Sequence, residues 1–213
     1  MGSLFLVRHA TTEASRTGRM LGQRIDAPLT PDGVELARRT GRAIADELQA
    51  LPHQVLRVLS SPARRCRETA AAIADALRVP DAQVEEDPRL WEIDYGRWEG
   101  LTADEAMARD GELRRAYAAD PYAVRMPDGE SGRDVRERAF AALLPVERWL
   151  AEGRGRAAVV VTHNHVVRLR LAALLGIPMR DYRRRIVADP GAYSLVTFGS
   201  REPVIRRVNV LPR

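Results

Sequence analysis

Apolar residues fall along this chain in two rhythms. Leu4-Phe5-Leu6-Val7 is a short unbroken apolar run, which predicts a strand buried on both faces, as in a parallel sheet. Val55 to Leu59 predicts a second strand and Gln83 to Glu86 a short third. Ala157 to Val161, the most apolar run, predicts a fourth, and Tyr193 to Phe198 and Val204 to Val210 predict two closing strands. Helical spacing lies between them. Thr30 as N-cap and Pro31 at the first helical position start a helix to about Leu48, with Val34, Ala37, Ile44 and Leu48 in its apolar stripe. Ala63 to Leu77 predicts a second helix. Ser131 to about Glu152 predicts a longer one, disturbed at Pro145. His165 to Leu175 predicts a helix closed by Gly176 and Pro178.

Two stretches lack either rhythm. Thr11 to Pro28 is polar and reads as loop. Between Asp87 and Gly132, short helical pieces (about Thr102 to Arg109 and Glu112 to Ala118) sit among Gly, Pro and Asp, as in an insertion over one end of a sheet. The expected architecture is α/β: a three-layer α/β/α sandwich over a single domain, residues 1–213. Its sheet is mostly parallel with one antiparallel edge strand from the terminal hairpin, and the helical insertion, about residues 100–132, covers the site.

Composition narrows the setting. At 213 residues with 45% hydrophobic and 30% charged, the chain can bury a sizeable core. No run approaches the roughly 18 to 20 apolar residues of a membrane span, so no membrane partner is expected. Met1 to Val7 lacks a basic leader and runs straight into Arg8-His9, unlike a signal peptide. The lone cysteine, Cys66, excludes an intrachain disulfide framework. These features point to the cytoplasm. The formal charge is +5, and all 34 basic residues are arginine. Acids interleave with them, as on a solvated surface. Arg183-Arg184-Arg185 is the one basic cluster, and it lacks aromatics for base stacking, so no nucleic-acid partner is expected.

Ligands of open α/β sheets bind outside the carboxyl ends of strands. The first strand ends in Arg8-His9. The second ends in Ser60-Ser61-Pro62, with Arg64 and Arg65 just beyond. The fourth ends in Thr162-His163-Asn164-His165. Three of the four histidines thus leave one sheet edge. A phosphate dianion suits planar guanidinium donors, and a neutral imidazole can attack phosphorus. Fixed donors and helix N-termini would stabilise charge on the equatorial oxygens. Such a pocket needs no metal and no cofactor.

Four motifs in one order resemble the histidine phosphatase superfamily, phosphoglycerate-mutase-like branch. They are Arg8-His9, Ser60-Ser61-Pro62-Ala63-Arg64-Arg65, the run from Leu90 to Gly100, and Val161-Thr162-His163. The resemblance spans nearly the whole chain and implies roles. His9 would be the nucleophile that becomes phosphohistidine, with Arg8, Arg65 and His163 completing the phosphate pocket. Glu92 would be general acid and then base. Thr12 and Ser15 would line the pocket, and Leu21, Gly22, Tyr95, Glu130 and Asn164 are weaker substrate contacts.

Departures from the family pattern are Ala10, Ser15, Asn164-His165 and Asp128, where the family commonly has Gly, Asn, Gly-Gly and Gly. Ala10 would be costly if its backbone needed positive φ. His165 is expected to be structural, and a His163/His165 metal pair lacks a third ligand. His53 is expected to be solvated, Trp91 and Trp98 to pack the insertion, and Cys66 to be a small core residue. The implied function is a metal-independent phosphomonoesterase acting on a small phosphorylated metabolite, because the segment from Glu92 to His163 is short for a mutase of this family. A cofactor-dependent phosphoglycerate mutase and a non-catalytic phospho-ligand or RNA-binding scaffold are the alternatives; the chain leaves monomer and homodimer both open. His9 must be neutral and Glu92 protonated for the first step, which sets two opposed limits on pH.

Overall fold

A computed structural model of the chain describes residues 1–50, 55–80 and 83–212. In chain order its elements are β1 (Gly2–Arg8), α1 (Glu13–Arg16), α2 (Pro31–Gln49), β2 (Val55–Ser60), α3 (Arg64–Ala76) and β3 (Val84–Glu86). There follow α4 (Ala103–Arg109), α5 (Gly111–Ala119), α6 (Gly132–Glu152), β4 (Arg156–Thr162), α7 (Asn164–Leu174), α8 (Tyr182–Arg185), β5 (Tyr193–Phe198) and β6 (Val204–Val210). The strands form one sheet in the order β3-β2-β4-β1-β5-β6. β1, β2, β3 and β4 pair in parallel, and β5 runs antiparallel to both neighbours. The terminal hairpin therefore forms one edge, with its reversed strand, β5, between β1 and β6.

The period-2 alternation of each strand divides the core into two layers. Phe5, Val7, Val58, Val159 and Val161 pack on the layer of α2 and α3, with Ile44, Leu48, Ala70 and Ile73. Leu4, Leu6, Leu59, Ala158 and Val160 face the opposite layer of α6 and α7, with Leu143, Val146, Val167 and Leu171. Both faces of β1 and β4 are thus dry, which explains their unbroken apolar runs. Thr30 caps α2 by accepting the Gly33 N–H at 3.0 Å.

Pro145 does not disturb α6, which runs on to Glu152. A proline here withholds the N–H that would bond the Ala141 carbonyl. The Arg89 guanidinium donates to that carbonyl instead, at 3.1 Å. Two elements escape the periodicity altogether: α1, within the stretch read as loop, and α8. Each is four residues long, too short for a helical stripe. Thr12 and Ser15 close α1 with reciprocal side-chain bonds, Ser15 N–H to Thr12 Oγ1 at 3.1 Å and Thr12 N–H to Ser15 Oγ at 2.9 Å. His53 lies outside the described residues.

Among the described residues no helix is long and apolar enough to cross a membrane. Between α6 and α7 lies a buried ion pair, Arg170 with Glu147, joined by two hydrogen bonds including Nε to Oε1 at 2.6 Å. Burial holds the Glu147 carboxyl above its usual range despite Arg170. Removing one partner strands a buried charge, so Glu147→Ala should cost about 3–5 kcal/mol in denaturant unfolding. Glu147→Leu with Arg170→Met should recover most of that loss; a double variant as unstable as the single would contradict the account.

Candidate active site

The carboxyl ends of β1, β2 and β4 lie side by side because these strands are parallel: Arg8 is in register with Thr162, and Ser60 with Val161. The chain then turns out of the sheet, and the His9 N–H bonds the Thr162 carbonyl at 2.9 Å. Above this edge lies a cavity of about 210 Å³. Arg8, His9, Thr12, Ser15, Leu21, Glu92, Tyr95 and Asn164 are on its wall, together with Arg114 and Tyr117 of α5 and Arg183 of α8.

His9 is almost fully buried. Its Nδ1 lies 2.8 Å from the Ala10 carbonyl oxygen. A carbonyl only accepts, so Nδ1 carries the hydrogen and Nε2 keeps a free lone pair. Burial first, then the Arg65 and Arg8 charges, hold the His9 pKa well below 6.5. The ring is therefore neutral at neutral pH. Ala10 is not among the described non-glycine residues with positive φ, so its methyl carries no backbone strain. Asp128, by contrast, has φ 57°, the left-handed region in which the family's glycine would be at ease.

Arg8 donates through Nη1 to the Ala188 carbonyl at 2.7 Å, and its buried Nε has no partner. Arg65 is fully buried, whereas Arg64 is exposed and pairs with Glu68. Arg65 Nη2 reaches the Gly22 carbonyl at 2.8 Å and His163 Nδ1 at 3.2 Å, leaving buried Nε and Nη1 without partners. Because arginine only donates, His163 Nδ1 is an acceptor. Its Nε2–H then points to Ser61 Oγ, 2.8 Å away. The His9 and His163 rings meet edge-on at 5.3 Å between centroids. Neither His163 nor Arg65 is on the cavity wall; both ring nitrogens of His163 are engaged, and Arg65 holds the free donors.

Glu92 is buried and uses Oε1 to accept the Ile93 N–H at 2.9 Å, the His165 N–H at 3.3 Å and His165 Nδ1 at 3.2 Å. It thereby caps the N-terminus of α7, whose own N-cap residue His163 offers no side-chain bond. Burial works to raise the Glu92 pKa, but its hydrogen bonds from His165 and from the Ile93 amide, with His163 close by, outweigh it and hold the carboxyl well below 4.5.

Three further residues sit differently from their sequence-based placement. Glu130 and Gly22 are not on the wall. The Glu130 carboxylate is filled by Arg138, Gln23 and the Asp94 N–H, all within 3.1 Å. Gly22 serves through its carbonyl, and a Cβ there would meet the Ile93 oxygen at 2.7 Å. Trp91 does not pack the insertion: it stacks on His163 at 6.3 Å with planes 6° apart, whereas Trp98 is fully buried against Tyr117. Cys66 is buried, and desolvation pushes its thiol up to about 12.

Sequence reasoning missed Arg114, Tyr117 and Arg183. The signal for the first two was their spacing of three on one helix, and for Arg183 its place at the start of the arginine run. Among the described residues no group of three or more His, Cys, Asp or Glu side chains is arranged to hold a metal ion.

The family description Histidine phosphatase superfamily (branch 1) matches residues 4–211, so the chain belongs to that superfamily. Phosphoserine phosphatase 1 of Hydrogenobacter thermophilus is 32% identical over 212 residues, which cover 99% of this chain and 93% of that protein. A probable phosphoglycerate mutase GpmB of Yersinia pestis is 30% identical over 184 residues, covering 86% of this chain and 80% of that one. A mycobacterial glucosyl-3-phosphoglycerate phosphatase, solved with VO3, has a TM-score of 0.80 at 25% identity and covers 98% of each chain.

Three buried imidazoles, His9, His163 and His165, all have pKa values lowered by burial. In the unfolded chain they take up protons below about 6.5, whereas the folded state does not. Unfolding therefore absorbs protons in acid, and stability should fall as pH drops through about 6.5. Tm measured from about pH 7.5 down to about 5.5 should decline steadily; a level or rising Tm would contradict neutral buried rings.

Proposed function

We propose that this chain is a metal-independent phosphomonoesterase that works through a phosphohistidine at His9 and takes a small phosphorylated metabolite carrying a second anionic group. The observation that carries the reading is the bond from His9 Nδ1 to the Ala10 carbonyl. It commits the ring hydrogen to the backbone and leaves the Nε2 lone pair for phosphorus, while unpartnered N–H groups of Arg8 and Arg65 await phosphate oxygens.

In the first step Nε2 forms a bond to phosphorus as the ester P–O bond breaks, and Glu92 gives its proton to the leaving oxygen. Glu92 is ionised in the free site, so that proton enters with the substrate: a phosphate monoester has a second pKa near ~6 and arrives partly as the monoanion. In the second step water attacks phosphorus, its proton goes to the Glu92 carboxylate, and the P–N bond breaks. Neutral His9 and inorganic phosphate result.

The far wall supports the second anionic group. Arg114 and Arg183 line the cavity, each with a buried Nε that has no hydrogen-bond partner. Among the described residues neither forms an ion pair with an acid; both lie over the Tyr117 ring, at 5.7 and 5.1 Å. Unpaired, half-buried cations beside a phosphate site favour a dianionic or carboxylated ligand. Phosphoserine and glucosyl-3-phosphoglycerate, named for two of the relatives, are both carboxylated esters. The mutase-named relative favours a second reading, phosphoryl return to a phosphorylated three-carbon acid, which a coupled assay with a bisphosphate primer would detect.

Purified protein should release phosphate from an aryl phosphate in the presence of chelator. His9→Ala should lower kcat on the order of 10³-fold or more, and retained activity would sink the assignment. Glu92→Gln should cost about 10²- to 10⁴-fold on an alkyl phosphate and far less on an aryl phosphate, whose leaving group needs no proton. For the substrate, Arg183→Gln should raise KM about tenfold or more for a carboxylated phosphomonoester and leave a neutral alkyl phosphate within about threefold. Equal losses on both would rule out a second anion contact at Arg183.

A further inference from the structure

His165 stands where the resemblance leads one to expect glycine, and it is not on the cavity wall. It is nevertheless almost fully buried, at 1% exposure, between Glu92 and Tyr117. Its Nδ1 lies 3.2 Å from Glu92 Oε1, and its Nε2 lies 3.1 Å from the Tyr117 hydroxyl. An ionised carboxylate only accepts, so Nδ1 bears the hydrogen; Nε2 is then the acceptor of the Tyr117 O–H. The chain of donors has one direction, Tyr117 to His165 to Glu92. The Tyr95 ring meets the imidazole edge-on at 5.6 Å and the Tyr182 ring lies tilted against it at 5.8 Å.

This chain engages one oxygen of the carboxylate and not the other. Oε1 takes the Ile93 N–H and both donors of His165. Among the described residues no hydrogen bond reaches Oε2, and Glu92 lines the same cavity as His9. A carboxylate pinned through one oxygen presents the other in a fixed direction, as a base oriented by a third group does.

We propose that His165, locked by Tyr117, is a positioning residue for Glu92 that orients the free carboxylate oxygen toward the leaving oxygen. The inference rests on the acid–base reading of Glu92 given above. Tyr117 belongs to α5 in the insertion, so docking of the insertion and readiness of the acid are one event.

The other groups facing the pair come from every neighbouring element. Arg8 ends β1 and His9 follows it, His163 is the N-cap of α7 and Arg168 lies within that helix, Tyr182 and Arg183 belong to α8, and Tyr95 to the segment after Glu92. All of them remain when His165 is changed. Without the His165 donors, burial is left to dominate and Glu92 should hold its proton to higher pH, in line with the causes that now depress it.

Three variants test this with an alkyl phosphate as substrate. His165→Leu keeps bulk and removes the donor; its kcat should fall about tenfold or more with KM within about threefold, and its pH–kcat profile should move alkaline by about one unit. His165→Asn restores an N–H near the Nδ1 position and should return kcat to within about threefold of the parent, with the profile restored. Tyr117→Phe should shift the profile in the same direction by less, and it carries the test if the leucine variant fails to fold. In the Glu92→Gln background, His165→Leu should cost no more than about twofold further, since its effect runs through the carboxyl.

An unmoved pH profile in His165→Leu, or equal impairment of the leucine and asparagine variants, overturns the proposal and leaves His165 a packing residue. Full alkyl-phosphate activity in Glu92→Gln alone would instead remove the acid reading, and the proposal with it. That outcome differs from loss of the whole enzyme reading, which activity in His9→Ala reports.

Discussion

An uncharged imidazole held among unpaired guanidinium groups is the condition on which the site depends. A charged His9 beside Arg8 and Arg65 would add a third cation to a buried space that has only Glu92 to set against them. The protein avoids this by burial, reinforced by the Arg65 and Arg8 charges; the bond from His9 Nδ1 to the Ala10 carbonyl works the other way on the pKa and instead fixes which nitrogen carries the hydrogen. That bond selects the tautomer, with the hydrogen on Nδ1 and the lone pair on Nε2. Its geometry is inherited from the sheet. β1 pairs in register with β4, the His9 N–H bonds Thr162, and the residue after each strand projects above the same edge.

Around that centre, positive charge is arranged in two tiers. The charges of Arg8 and Arg65 both act on His9, and each keeps a buried N–H without a partner. Arg114 and Arg183 stand across the cavity on short helices. Glu92 is the one buried carboxylate among them, and it is tied to α7 through Oε1. Arg138 of α6 holds the segment that carries it, donating to the Arg89, Trp91 and Glu92 carbonyls at 2.7 to 2.9 Å. The acid is therefore positioned by two long helices, although it sits in irregular backbone.

Much of this was legible in the residues, for identifiable reasons. Strands buried on both faces read as unbroken apolar runs, so Leu4 to Val7 and Ala157 to Val161 could be placed and their polar exits, Arg8-His9 and Thr162-His163, with them. The Thr30-Pro31 start of α2 was legible because cap chemistry is local. What stayed hidden depends on distant contacts. Glu130 looked like a substrate contact until Arg138, eight residues along, was seen to fill its carboxylate. Pro145 looked disruptive because Arg89, from another part of the chain, satisfies the orphaned carbonyl. α1 and α8 are single turns with no period to read, and His165 gives no local sign that both ring nitrogens are engaged.

The most direct test of the account is nitrogen NMR of His9 in protein labelled at histidine, followed from about pH 8 to about pH 5. The account predicts a neutral ring at neutral pH, with the hydrogen on Nδ1 and Nε2 unprotonated, and protonation only well below pH 6.5. A ring that becomes imidazolium near pH 6.5, or one that carries its hydrogen on Nε2 at neutral pH, would contradict it.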